Sequence, residues 1–213
     1  MKVEATAINR ADILQVKGMY PPPKGSTEVM GLEASGYLEG ESQENRICAL
    51  LSGGGYGRYA FNIHLFSVAE VHKDHLFSIP SNLSFAEGAS IVESSLTSYL
   101  GLIELGKLQS SENILIYAGA SGIGTTAIQM SKALKTNVIT IAGTTEKCEL
   151  TNSLGSDLSL NYKELNNDEM KRKIMDFTNG KGVDIIFDCI GASFVELVYF
   201  FLILVNKCFG IRF

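Results

Sequence analysis

From Phe85 onward, short apolar runs alternate with stretches whose apolar residues recur at helical spacing. Ile114–Tyr117, Val138–Ala142, Leu158–Leu160 and Val183–Cys189 are the short runs. Brief, strongly apolar segments of this kind fit strands buried on both faces. Ile123, Ala127, Ile128 and Met130 fit the buried face of a helix over 123–134. Further helices are expected over Glu146–Leu154 and 168–178, and a long one over Ala86–Leu105 precedes the first strand. Strands alternating with helices predict an α/β fold with a parallel sheet covered on both sides. Residues 1–85 have a different texture, with short β-like runs punctuated by PPPKG at 21–25 and SGGGYG at 52–57. No internal repeat or low-complexity tract appears.

The segment NILIYAGASGIGTTAIQM, Asn113 to Met130, carries the most chemistry. An apolar strand enters a turn containing Gly119, Ala120, Ser121, Gly122, Ile123 and Gly124, and the turn opens a helix. Glycines here allow a tight turn, close approach of the backbone to a pyrophosphate and packing of helix on strand. The helix N-terminus stabilises the phosphates. Glycine turns also join strands to helices where nothing binds; the flanking strand and helix select the dinucleotide reading. Ser121 stands at the middle glycine of the usual G-x-G-x-x-G, which widens the turn and adds a hydroxyl able to donate to phosphate.

The end of the second strand chooses between cofactors. NAD sites commonly place an acid there, to accept from the ribose hydroxyls. This chain reads Ile141-Ala142-Gly143-Thr144-Thr145-Glu146-Lys147, which leaves room and positive charge for a 2′-phosphate and favours NADP(H). Lys147 has a plainer reading as a solvated helix residue, and an inward-facing Glu146 would oppose the phosphate.

Size and charge narrow the field. The chain has 213 residues, 46% of them hydrophobic, and suits one or two domains. A net charge of −5 and a pI near 5.3 give no general attraction to nucleic acid or anionic membrane. Cys48, Cys148, Cys189 and Cys208 form no C-x-x-C pair, which fits a reducing, cytoplasmic setting. The N-terminus lacks the apolar core of a signal peptide. The apolar run 194–205 contains Glu196 and is shorter than the roughly 18–20 residues that span a bilayer.

Taken together, several segments resemble the zinc-free quinone oxidoreductase (zeta-crystallin-like) branch of the medium-chain dehydrogenase/reductase superfamily, close to the stress-inducible quinone reductases. They are NRADILQVKGMYPPP (9–23), GLEASGYLEG (31–40), CALLSGGGYGRYA (48–60), EVHKDHLFSIPSNLSFAEGASI (70–91), LTSYLGL (96–102), ILIYAGASGIGTTAIQ (114–129), LGSDLSLNYK (154–163) and GVDIIFDCIG (182–191). The resemblance implies a partial GroES-like catalytic domain over 1–85, an NADP(H)-binding Rossmann domain over 86–193, and NADPH between them. By position, Gly143, Lys147 and Tyr162 would form the 2′-phosphate pocket, with Thr144 a further cofactor-binding residue. Thr97 and the turn Ala120–Gly124 would hold the pyrophosphate and nicotinamide side, and Cys189, Ile190 and Gly191 would line the nicotinamide ribose. Asn9, Asp12 and Tyr20 match substrate-cleft positions. The plainer reading of Tyr162 is a loop tyrosine, and Asp12 reads equally as a helix cap.

Zinc-dependent relatives place a cysteine near Asn9 and a histidine in G-H-E, where this chain has Gly31-Leu32-Glu33. Leucine ligates nothing, and no Cys/His cluster replaces it; His64, His72 and His75 read as surface residues. The resemblance therefore implies metal-free hydride transfer to a quinone or activated enone, with a homodimer for a full-length form. The rivals are a non-catalytic nucleotide-binding fragment and an enoyl-thioester reductase. Three departures accompany the likeness. The family's opening strands are absent, residues 61–69 (FNIHLFSVA) read as an insertion, and the family pattern stops after Ser193, so 194–213 is expected to be a non-family tail. Both odd segments read as intron-derived sequence or a splice form, with a buried helix as the plainer reading of 194–205. The loss of later strands is expected to leave a sheet edge bare.

Overall fold

The structure, a computed structural model, describes residues 1–38, 40, 45–57, 71, 73–191, 200 and 207–210. The proposed insertion at 61–69, His64 and His72, and most of 194–205 lie outside the described residues. Two compact units divide the chain, Met1–Ser94 and Ser95–Arg212.

The first unit holds a four-stranded antiparallel sheet in the order β1 (Lys2–Thr6), β2 (Glu33–Tyr37), β3 (Arg46–Leu50) and β4 (Leu76–Ser78). Alternation along the strands divides its apolar residues. Ala34, Ile47, Ala49 and Leu51 gather with Met1, whereas Cys48 packs with Ile79 and Val92. Between β1 and β2 lies helix α1 (Arg10–Val16).

The single helix expected over 86–105 is three pieces: α2 (Phe85–Ala89), α3 (Val92–Tyr99) and a wider π-type turn over Leu100–Leu105. Hydrogen bonding by short side chains explains the break. Ser84 and Glu87 form a reciprocal cap that starts α2, with Ser84 N–H donating to Glu87 Oε2 at 2.7 Å and Glu87 N–H to Ser84 Oγ at 3.2 Å. Ser90 Oγ donates to the Glu87 carbonyl at 2.8 Å, satisfying an end group of α2. Because α2 packs on the antiparallel sheet, the first unit extends past 85 to Ser94.

The second unit is a five-stranded parallel sheet ordered β7-β6-β5-β8-β9. Its strands are β5 (Asn113–Tyr117), β6 (Asn137–Ala142), β7 (Leu158–Asn161), β8 (Ile185–Asp188) and β9 (Lys207–Gly210). Helices α4 (Gly122–Ala133), α5 (Thr145–Ser153) and α6 (Asn167–Phe177) alternate with them. Leu115, Tyr117, Ile139 and Ile141 cluster with Met170 and Ile174 of α6. Their neighbours Ile114, Ile116 and Val138 cluster with Ala127 and Ile128 of α4. Both clusters are almost dry, as a sheet covered on two sides requires. The architecture is α/β, a partial GroES-like antiparallel unit followed by a Rossmann-type unit. One further strand, β9, pairs with β8 in parallel, Ile185 with Lys207 through Asp188 with Gly210, and is the last strand of the sheet on that side among the described residues. Four residues are too few to show a period, so hydropathy alone does not reveal this strand. Among the described residues, no helix is long and apolar enough to cross a membrane.

Candidate dinucleotide-binding site

Tyr117 ends β5 fully buried, and the chain then turns through Ala118, whose φ is +51°. Gly119 N–H donates to the Ile141 carbonyl of β6 at 3.0 Å, pinning the turn between the central strands. Ser121 is the N-cap of α4 and accepts the Gly124 N–H at 3.0 Å. Its hydroxyl also favours the Cys189 thiolate, a minor influence against the burial that raises that thiol.

The glycines play different parts. A Cβ on Gly124 would sit 2.3 Å from the Ala118 carbonyl oxygen, so this glycine lets α4 press against the turn. A Cβ on Gly119 would sit 2.8 Å from Cβ of Thr140, so this one lets the turn press on β6. A Cβ on Gly122 would meet nothing within 4 Å. Gly122 is the bare, exposed point at the helix N-terminus, the place where a phosphate can approach backbone N–H groups. These residues fit a dinucleotide pyrophosphate. Thr97 lies half-buried on α3, and its neighbour Ser98 donates to the Ile123 carbonyl at 3.3 Å, tying α3 to the first turn of α4.

At the end of β6, Tyr162 packs closely over Gly143: a Cβ there would lie 2.9 Å from its ring and hydroxyl. Thr144 caps α5, its hydroxyl accepting the Lys147 N–H at 3.3 Å. Glu146 is exposed, and the Thr144 side chain holds its carboxyl below the ordinary value, so it faces the cap and not an interior pocket. Lys147 is exposed on the first turn of α5. One strand end thus gathers an aromatic face, a helix N-terminus and a cation.

After β8 the turn is fixed by Asp188, which the sequence motifs do not mark. Its buried Oδ1 accepts N–H groups from Ile190 at 2.8 Å and Gly191 at 3.0 Å. Gly191 takes φ +83°, and Ile190 is exposed. An aspartate at a strand end, two and three residues before a glycine-containing turn, is the signal that could have found it. Cys189 Sγ donates to the Tyr117 carbonyl at 3.5 Å; burial above all, then Asp188, pushes its thiol up, away from a reactive thiolate.

Two of the three substrate-cleft candidates of the first unit, Asn9 and Asp12, are engaged in internal bonds. Asp12 is buried at the start of α1, where its Oδ2 accepts the Asn9 N–H at 2.7 Å. Asn9 Nδ2 donates to Glu33 Oε1 at 2.9 Å, and Glu33 Oε2 accepts the Glu93 N–H at 2.9 Å. Burial raises the Glu33 carboxyl despite these donors, and nearby Asp12 adds to the rise. Burial also pushes the Tyr56 phenol up to about 12, with the Asp12 carboxylate reinforcing it. Tyr20 is exposed beyond α1. The helix-cap reading of Asp12 is therefore present in the structure, and Glu33 and Tyr56 join its cluster. Among the described residues, no three His, Cys, Asp or Glu side chains converge as a metal site.

The family model described as "Zinc-binding dehydrogenase" matches residues 122–202, which extends past Ser193. Among curated proteins, the chain is 26% identical over 203 residues to a phenolphthiocerol/phthiocerol polyketide synthase of Mycobacterium tuberculosis, covering 92% of this chain and 9% of that protein. Among solved structures, the CurK enoyl reductase superposes with a TM-score of 0.79 at 22% identity, covering 100% of this chain and 64% of that one. The quinone oxidoreductase of Thermus thermophilus, solved also with NADPH, gives 0.78 at 25% identity, covering 100% and 70%. The fold is that of the medium-chain dehydrogenase/reductase superfamily of oxidoreductases. The chain spans less than a tenth of the polyketide synthase it matches.

Proposed function

We propose that this chain binds NADP(H) and belongs to an oxidoreductase that passes hydride to a carbonyl-conjugated acceptor without a metal. The observation that carries the cofactor assignment is the end of β6, where Gly143 lies under Tyr162 and α5 begins with Thr144 and Lys147. The bound nicotinamide supplies the hydride. The protein's own contribution is placement: bare Gly122 and the N-terminus of α4 take the pyrophosphate, Lys147 the 2′-phosphate, and the Asp188-braced turn the nicotinamide ribose. Asn9 and Leu32 occupy the positions where zinc-dependent relatives carry ligands, which supports the metal-free reading. A quinone and an enoyl thioester share the chemistry required, a conjugated acceptor that takes one hydride and one proton. The quinone oxidoreductase neighbour supports the first and the CurK enoyl reductase the second.

Titration of nicotinamide fluorescence tests the cofactor assignment. NADPH should bind more tightly than NADH, and Lys147→Ala should cost about 1–3 kcal/mol of NADPH binding, the range for a charge-assisted hydrogen bond. Equal affinities in the wild type would overturn it. Following NADPH oxidation with a benzoquinone and with a crotonyl thioester separates the acceptors. Binding without oxidation of either would favour a non-catalytic nucleotide-binding role.

A further inference from the structure

Helix α5 carries the proposed phosphate contact, yet it buries no apolar side chain. Its one buried residue is Thr151. A helix normally docks through an apolar stripe; this one docks through hydroxyls. Thr140 Oγ1 of β6 lies 3.2 Å from Thr151 Oγ1, 3.0 Å from Ser156 Oγ and 2.9 Å from Ser159 Oγ. Thr151 and Ser159 close the ring at 2.7 Å, and Ser159 reaches Asn152 Oδ1 of the same helix at 2.6 Å. Thr140 and Thr151 are wholly buried.

The same two threonines border the pyrophosphate turn. A Cβ on Gly119 would lie 3.1 Å from the methyl of Thr140 and 3.1 Å from that of Thr151. Their methyls face the glycine turn while their hydroxyls hold α5. Hydrogen bonds are directional where apolar packing is not, so the ring fixes the rotation and axial position of α5. Lys147 and the Thr144 cap lie within two turns of Thr151 on that helix.

We propose that the hydroxyl cluster of Thr140, Thr151 and Ser156, which are buried, and Ser159 at its rim is a positioning and specificity-determining device. It sets the distance between the pyrophosphate turn and Lys147, and through it the preference for a 2′-phosphorylated dinucleotide. The inference rests on the NADP(H) reading above. Thr151→Val keeps the branched shape and removes the hydroxyl; Thr151→Ser keeps the hydroxyl. Affinities for NADPH and NADH, measured by nicotinamide fluorescence on the full chain, are read with amide exchange across 145–148.

The expected result is that Thr151→Val lowers the NADPH:NADH affinity ratio about tenfold, with NADH affinity kept and exchange at 145–148 faster. Thr151→Ser should restore the ratio. Should Thr151→Val fail to fold, Ser159→Ala loosens the same ring from its rim and is read in the same way. A wild-type preference for NADPH that survives unchanged in the soluble variants would overturn the inference and leave the cofactor assignment standing. A wild type without preference would overturn both.

Discussion

The candidate sites of the two units use polar side chains in different ways. In the Rossmann-type unit the candidate site is mostly backbone: N–H groups at the start of α4, glycine hydrogens, and a turn braced by Asp188. Side chains there shape the backbone and leave it open to a ligand. In the antiparallel unit, Asn9, Asp12 and Glu33 bond to one another and to the main chain. Groups with reactive chemistry are consumed in holding α1 and α3 to the sheet. A polar residue that matches a site motif is therefore evidence of a site only once its bonds are known. A glycine that matches one can be tested at once, by asking what a Cβ would strike.

The sharpest break of this contrast is at Gly124. Gly124→Ala drives a methyl into the Ala118 carbonyl and should cost about 3 kcal/mol or more of stability, read by denaturant unfolding. Retained stability would show that the turn is looser than its contacts indicate. Glu33→Ala comes next, at about 2–3 kcal/mol, because it strands the Asn9 amide and Glu93 N–H. Acid titration sharpens this prediction. The folded chain holds the Glu33 proton more tightly than the unfolded chain does, since burial raises that carboxyl above 4.5. The linked stability is complete below the unfolded value and fades as pH climbs through the folded one. The melting temperature of the wild type relative to Glu33→Gln should fall across that window, and a flat difference would contradict the burial argument.

Smaller effects distinguish bracing from binding. Asp188→Ala should cost about 1–2 kcal/mol by freeing two amides, and Asp188→Asn should recover most of it because its carbonyl still accepts. Equal losses would mean that charge, not the turn, is what matters. Gly122→Ala should alter stability by less than about 0.5 kcal/mol, since its Cβ meets open space. Calorimetric titration should nevertheless show weaker NADPH binding. Unchanged binding would place the phosphate elsewhere.

Hydropathy locates four of the five described strands of the Rossmann unit to within a residue or two, because buried parallel strands are dense apolar runs that little else imitates. It joins α2, α3 and the π-type turn into one helix, because Ser84, Glu87 and Ser90 act through hydrogen bonds that hydropathy does not record. It also misses β9, which is defined by its pairing with β8 and not by its composition. Among site residues, the glycine turn and the end of β6 are legible. Asp188, Thr140 and Thr151 are not, since each reads as an ordinary polar residue beside a strand or within a helix.

Local chemistry by itself determined that this chain turns tightly after β5, opens a helix out of the glycine turn, and presents glycine and lysine after β6. Those features depend on residues adjacent in sequence, where steric and capping rules act directly. Only the tertiary structure decided that Thr140 meets Thr151 and Ser159, that Glu33 receives Asn9 and Glu93, and that Asp12 faces Tyr56. Most of these pairings join residues from different elements. Their strength comes from burial, which removes competing water and makes each unmade bond costly.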